Sequence, residues 1–405
     1  MDNIEGNSIS DNQQLDSVWL KAAVVGGLWA SVEIIIGSFF HNLRIPFSGS
    51  ILAANGTILL IAFYHLWPEK GLIWRAGLIT ALMKSISPSA VILGPMIGIL
   101  SEALILEFFI RLFGSNLVSL SIAGALSVSS AFLHKIVSLL LLYWMDLVEL
   151  YKNIFRFVAK QVRMEGASPW LLIFILLAFY IIIGIMAAVA GKYIGKQSRK
   201  LKSRPQGYKL SEVETNNILV VNKEQRFNLV LFYVQFIIIP GGLVLLNYLP
   251  LQYAILFVGA YSGLSIFWYK RSLRRLWKPI FWVQLLILTL FSGIFSTGFY
   301  SSGTLFTLDG FLMGFGMTIR AVFVVIAFSS FSVELRNPII KDFLISRGFQ
   351  NIYLALGLSF AALPLMIEAM PNPKYFLRHP IESFSNMMAY AGEWLEVFTK
   401  NQSNK

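Results

Sequence analysis

The feature that most constrains this chain is an alternation of about eleven apolar stretches with short polar breaks. An apolar run of roughly twenty residues reads as a membrane-crossing helix, because a hydrocarbon core of about 30 Å needs that length at 1.5 Å of rise per residue. One break, Lys192–Lys209, carries seven Lys or Arg and no acid. Such a loop marks the cytoplasmic side, and it divides the chain into two membrane halves. The expected fold is therefore all-α: a polytopic integral membrane protein with about ten to eleven transmembrane helices in two bundles.

In the first half the spacing predicts spans over Val18–Phe40, Gly49–Trp67, Gly71–Ser87, Pro88–Phe113, Leu117–Leu147 and Ser168–Gly191. Lys152, Arg156, Lys160 and Arg163 recur at helical spacing and suggest an amphipathic interfacial helix. Residues 201–226 read as a basic, polar cytoplasmic linker with Pro205 and Gly207. The second half, 227–405, offers Asn228–Leu249, Pro250–Tyr269, Pro279–Thr297 and Leu305–Phe331. A run from Ile352 to Ala369, broken by Pro364, then precedes an amphipathic piece at Ile381–Val397. Charged residues make up 13% of the chain, against about 25% in soluble domains. The formal charge of +12 is read as juxtamembrane charge that orients helices and attracts anionic lipid, not as a nucleic-acid footprint. With no cysteine, disulfides, Cys-ligated zinc and thiol catalysis are excluded. The first helix is expected to be retained, as no cleavage signature follows it.

Ionisable groups near a bilayer centre cost about 2.5–3.5 kcal/mol each and so demand a reason. Glu102 falls in the middle of the fourth span, and His134 and Lys135 in the middle of the fifth. A Glu102–Lys135 pair would neutralise both charges, and Trp29, Glu33, Asn55 and Lys84 could join them in a polar pocket for a small solute. A structural ion pair explains Glu102 and Lys135 equally well. Lys21 lies at a helix end, where snorkelling is expected, and for Lys84, near an outer end, snorkelling is a reading as good as the pocket. On the first span, Ala22, Gly26 and Ala30 fall four apart, and Ala23, Gly27 and Ser31 repeat the pattern one residue on. Such flat stripes admit close helix approach, either within the bundle or to the second half. Asp309 and Arg320 share a face but are separated by roughly 16 Å of rise, so each needs another partner. No P-loop, H-E-x-x-H or G-x-S-x-G occurs, and four scattered histidines make no metal site, so no catalytic residue, metal or cofactor is expected.

The second half carries Lys270-Arg271-Ser272-Leu273-Arg274-Arg275-Leu276-Trp277-Lys278-Pro279, Leu308-Asp309-Gly310-Phe311 with Ile319-Arg320, Asn337-Pro338, and Ala362-Leu363-Pro364 with Glu368. In this order it resembles the transmembrane T component of energy-coupling factor (ECF) vitamin transporters. The first half, with six spans, the small-residue stripe and Gly94-Pro95-Met96-Ile97-Gly98, resembles the substrate-binding S component of the same family. The resemblance implies a multi-pass subunit of the bacterial cytoplasmic (inner) membrane that binds a vitamin-like small solute. Its partners would be membrane lipid and separate ATP-binding-cassette ATPase subunits, with no nucleic acid. It also implies that Ala22, Gly26 and Ala30 meet the T component, and that His41–Ser48 forms a flap over the pocket. T components carry Ala-Arg-Gly-like triplets that engage the ATPases. Here Ser346-Arg347-Gly348 precedes the expected place and Arg378 follows it, so Arg320, Arg347 and Arg378 stand as coupling candidates. The other readings are a membrane enzyme acting on a lipid-linked or isoprenoid substrate, with Glu102 and His134 as acid and base, and a non-catalytic partner in a membrane complex.

Overall fold

The computed structural model describes residues 15–43, 47–86, 93–164, 166–198, 229–269, 279–295, 306–334, 349–368 and 370–403. Among them the chain is helical throughout, with no strand. The elements are α1 (Ser17–Asn42), α2 (Ser48–Leu66), α3 (Leu72–Ile86), α4 (Leu93–Phe113), α5 (Leu117–Gln161) and α6 (Trp170–Ser198) in the first half. The second half holds α7 (Leu229–Tyr248), α8 (Leu251–Tyr269), α9 (Pro279–Phe295), α10 (Leu308–Glu334), α11 (Gln350–Glu368), α12 (Pro373–Arg378) and α13 (Pro380–Ser403).

Eight described helices are long and apolar enough to cross a membrane: α1, α2, α5, α6, α7, α8, α10 and α11. The chain is a multi-pass membrane protein. That count covers the described residues alone, and three further helices stay out of it for specific reasons. α3 has 15 residues, about 22 Å of rise, and α9 has 17. α4 is long enough but carries Glu102, Glu107 and Arg111. The Pro364-containing run forms one continuous helix, α11.

α5 has 45 residues and changes direction at Trp144, whose φ of 55° and ψ of −154° interrupt the helix. A tryptophan with positive φ in that region costs on the order of 1–3 kcal/mol, so the surrounding packing must hold it there. The sequence places the end of a span at Leu147 and an amphipathic helix after it; the structure joins the two and bends them at Trp144.

The first core gathers α1, α3 and α4 around Trp29, Ile79, Ala103 and Leu106, with α2 and α6 packed alongside. The same core continues into Ala355, Ala362 and Met366 of α11, Phe376 of α12, and Phe384, Trp394 and Phe398 of α13. A second core joins α7, α8 and α10 through Leu246, Tyr261, Phe323 and Ala327, and α9 closes on α10 through Phe281 and Leu285. Leu142 and Tyr143, just before the bend in α5, pack into that second body. The cores therefore cross the division expected at the linker. The last three helices belong to the first bundle's core, and the end of α5 belongs to the second. The linker itself, and the Lys270–Lys278 and Asn337-Pro338 segments of the resemblance, lie outside the described residues.

Candidate functional site

Small residues set the positions of the helices around the site. A Cβ built on Gly26 would lie 2.8 Å from Ile79 Cβ and 2.9 Å from the Ala76 carbonyl, so α1 and α3 touch backbone to backbone there. Thr80 of α3 donates its hydroxyl to the Gly26 carbonyl at 3.0 Å. One residue on, a Cβ on Gly27 would meet Met366 Sδ at 2.9 Å and Ser359 Cβ at 3.6 Å on α11. Ser359 donates its hydroxyl to the Ala23 carbonyl at 2.9 Å. The two registers of the stripe are thus divided. Gly26, with buried Ala22 and Ala30 in the same register, was expected to meet the second half; the structure puts Gly26 against α3, inside the first bundle. The Ala23–Gly27 register is the one that reaches a C-terminal helix.

Trp29, wholly buried, lies between α2 and α3. Over Gly56 its ring meets Glu102: a Cβ on Gly56 would sit 2.8 Å from both Trp29 Cζ2 and Glu102 Oε1. Gly56 is therefore the notch into which the carboxylate of α4 and the indole of α1 both fit. Glu102 is 4% exposed. Thr57 donates its hydroxyl to Glu102 Oε1 at 3.1 Å and lies 3.3 Å from the Ser127 hydroxyl of α5. Ser127 in turn reaches the Glu102 carbonyl at 3.3 Å.

Glu33 of α1, one turn on from Trp29, is buried. Its charge is balanced by Lys84 of α3, whose ammonium lies 3.5 Å from Oε2 and donates to the Glu33 carbonyl at 3.0 Å. Lys84 thus turns inward instead of snorkelling. Asn55, on the turn that holds Gly56, is buried with its side-chain amide nitrogen unpartnered. Trp29, Glu33, Lys84 and Glu102 therefore line one polar region inside the first bundle, and no contact joins Asn55 to them among the described residues.

Two expected members are elsewhere. Lys135 is exposed, and among the described residues no ion pair joins it to Glu102. A long cationic side chain is more cheaply kept at the surface than buried. His134 lies against Gly94, 3.8 Å from a Cβ built there, and Gly94 is two helical turns, about 12 Å, from Glu102. Among the described residues no hydrogen bond joins it to that carboxylate.

A separate network closes one end of the bundle. Glu107 of α4 accepts from the backbone N–H groups of Gly71, Ile73 and Trp74 at 2.7, 3.1 and 3.4 Å, capping the start of α3, and pairs with Arg111 at 2.6 Å. Gly71, at φ 89°, makes the turn that presents those N–H groups. Lys21 pairs with Glu69 instead of snorkelling, and the Arg75 guanidinium lies 5.1 Å from the ring centroids of Trp19 and Trp74.

Of the coupling candidates, Arg320 of α10 binds Asp146, just past the bend in α5, at 2.5 Å. Asp309 is exposed. Arg378 is exposed on α12, and Arg347 and most of the flap region's centre lie outside the described residues. Thr57, Ser127 and Gly56 are site residues that the sequence does not single out, since isolated Ser, Thr and Gly occur at most helix–helix contacts in membranes. No family model, curated protein or solved structure matches this chain.

Proposed function

We propose that the chain is the membrane subunit of an ECF-type importer in a bacterial cytoplasmic membrane. In this reading α1–α6 capture a small vitamin-like solute at the Trp29–Glu33–Glu102 region, and the C-terminal helices couple that bundle to separate ATPase subunits. The observation that carries the reading is the direct seat of α11 on α1: Gly27 against Ser359 and Met366, with the Ser359 hydroxyl bound to Ala23. A helix that both lines the polar region, through Trp29 and Glu33, and bears the C-terminal segment is placed to pass a rearrangement from one to the other. The ionisable groups at Glu33, Lys84 and Glu102 add support, because such groups inside a membrane bundle mark solute and ion pathways more often than packing.

The test is to purify the full chain from its native membrane in mild detergent and identify co-purifying proteins. ATP-binding-cassette subunits are expected, and Gly27→Leu should reduce their recovery several-fold while the chain stays in the membrane. Repeated purifications that recover no such subunit would rule out the coupling role.

A further inference from the structure

We infer that Glu102, Thr57 and Ser127 form a binding site for one dehydrated monovalent cation of about the size of sodium. Three independent observations lead there. The first is charge. Glu102 of α4 is 4% exposed inside the bundle, yet among the described residues no cationic side chain lies within ion-pair distance of it. Among the described residues, the other two buried acids of the bundle each have one: Lys84 for Glu33 and Arg111 for Glu107. An ionised carboxylate left alone in such surroundings is costly, so it must be neutralised, by a proton or by a bound cation.

The second is the ligand set. Around the carboxylate stand the Thr57 and Ser127 hydroxyls, both wholly buried, and the Glu102 backbone carbonyl. All are hard oxygen donors, the set that suits alkali and alkaline-earth cations and not transition metals. With Glu33 already shared with Lys84, one uncompensated carboxylate matches a single positive charge.

The third is spacing. Three successive oxygen–oxygen separations, from Glu102 Oε1 to Thr57, from Thr57 to Ser127 and from Ser127 to the Glu102 carbonyl, are 3.1, 3.3 and 3.3 Å. Hydroxyl hydrogen bonds favour about 2.7–2.8 Å, and all three exceed that. Oxygens held about 2.4 Å from a shared hard cation and at right angles around it lie about 3.4 Å apart, which is the spacing seen. Gly56, by offering no side chain, leaves the carboxylate free to stand beside the hydroxyls.

This goes beyond solute capture and does not require it, so the readout is cation binding alone. The full chain in nanodiscs of neutral lipid is unfolded thermally at pH 8, in sodium chloride against choline chloride at constant ionic strength. The wild type is expected to gain Tm saturably with sodium and not with choline. Glu102→Gln should abolish the sodium response, and Thr57→Val and Ser127→Ala, which keep the charge, should each move its midpoint about tenfold higher. A wild type indifferent to sodium, or a sodium midpoint unchanged in both hydroxyl variants, overturns the site. So does a Glu102→Gln chain that responds like wild type. A Tm that follows pH but not sodium also overturns it, and assigns the missing charge to a proton. If Glu102→Gln fails to fold, the two hydroxyl variants decide.

Discussion

At the scale of single residues, glycine positions make the sharpest statements, because what a methyl group would meet is fixed by geometry. At Gly26 the obstacle is backbone and a branched Cβ, neither of which can move aside. At Gly27 it is chiefly the end of the flexible Met366 side chain. Gly26→Ala should therefore destabilise the protein by about 1–3 kcal/mol, while Gly27→Ala should cost well under half of that. Thermal unfolding of the two variants side by side in one detergent checks the order, and equal losses would contradict it. Glu107 gives a second prediction. Its carboxylate holds three N–H groups at the start of α3, so Glu107→Ala should cost on the order of 2–3 kcal/mol and raise amide exchange in Ile73 and Trp74 before other parts of α3. Much of the polar region is legible in the sequence at this scale, since Glu33, Lys84 and Glu102 stand out against apolar helices. What is not legible is the pairing. Glu102 and Lys135 look like partners by depth, but depth says nothing of which way a residue points around its helix. Lys84, 51 residues from Glu33, takes the place at the neighbouring carboxylate instead.

At the scale of elements, the bend at Trp144 and the ion pair two residues after it belong together. Leu142 and Tyr143 enter the second body, and Asp146 binds Arg320 there, so the packing on both sides of Trp144 holds its unfavourable backbone. The Asp146–Arg320 pair is partly buried, with side-chain exposures of 30% and 17%. A double-mutant cycle with Asp146→Asn and Arg320→Gln should give a coupling of about 1–3 kcal/mol in detergent stability, against near zero for an exposed pair. Releasing the pair should also let the segment after Trp144 move, seen as faster proteolysis near Arg156. Helix positions are read well from hydropathy, because each run declares its own length. α11 shows the limit: a proline-broken run could lie flat at the interface or cross. What decides is the partner that covers its small face, Ala355, Ser359 and Ala362, and that partner is α1, more than three hundred residues earlier.

At the scale of the whole molecule, the two halves are interleaved instead of standing side by side. α11–α13 complete the first core, and the end of α5 joins the second. The linker is visible in the sequence as a basic, polar stretch, so a division there is the natural expectation. The interleaving is not visible, because apolar faces carry no record of their partners and each half alone satisfies the span pattern. One consequence is that a chain ending before Gln350 would leave Ala23, Gly27 and neighbouring core residues of α1 short of cover, and should be degraded or aggregate. Supplying residues 1–226 and 227–405 as separate chains should instead restore a stable complex.

The most direct measurement uses the absence of native cysteine. With Ala23→Cys and Ser359→Cys in one chain, oxidation or a short thiol cross-linker in intact membranes should produce a cross-linked form that migrates distinctly from the reduced chain. Pairing Ala23→Cys with Val230→Cys, an exposed position on α7, should not. Cross-linking at Ala23 and Ser359 is the predicted result. Its failure under conditions that label both cysteines singly would mean that α11 does not rest on α1, and the coupled arrangement of the two halves would be contradicted.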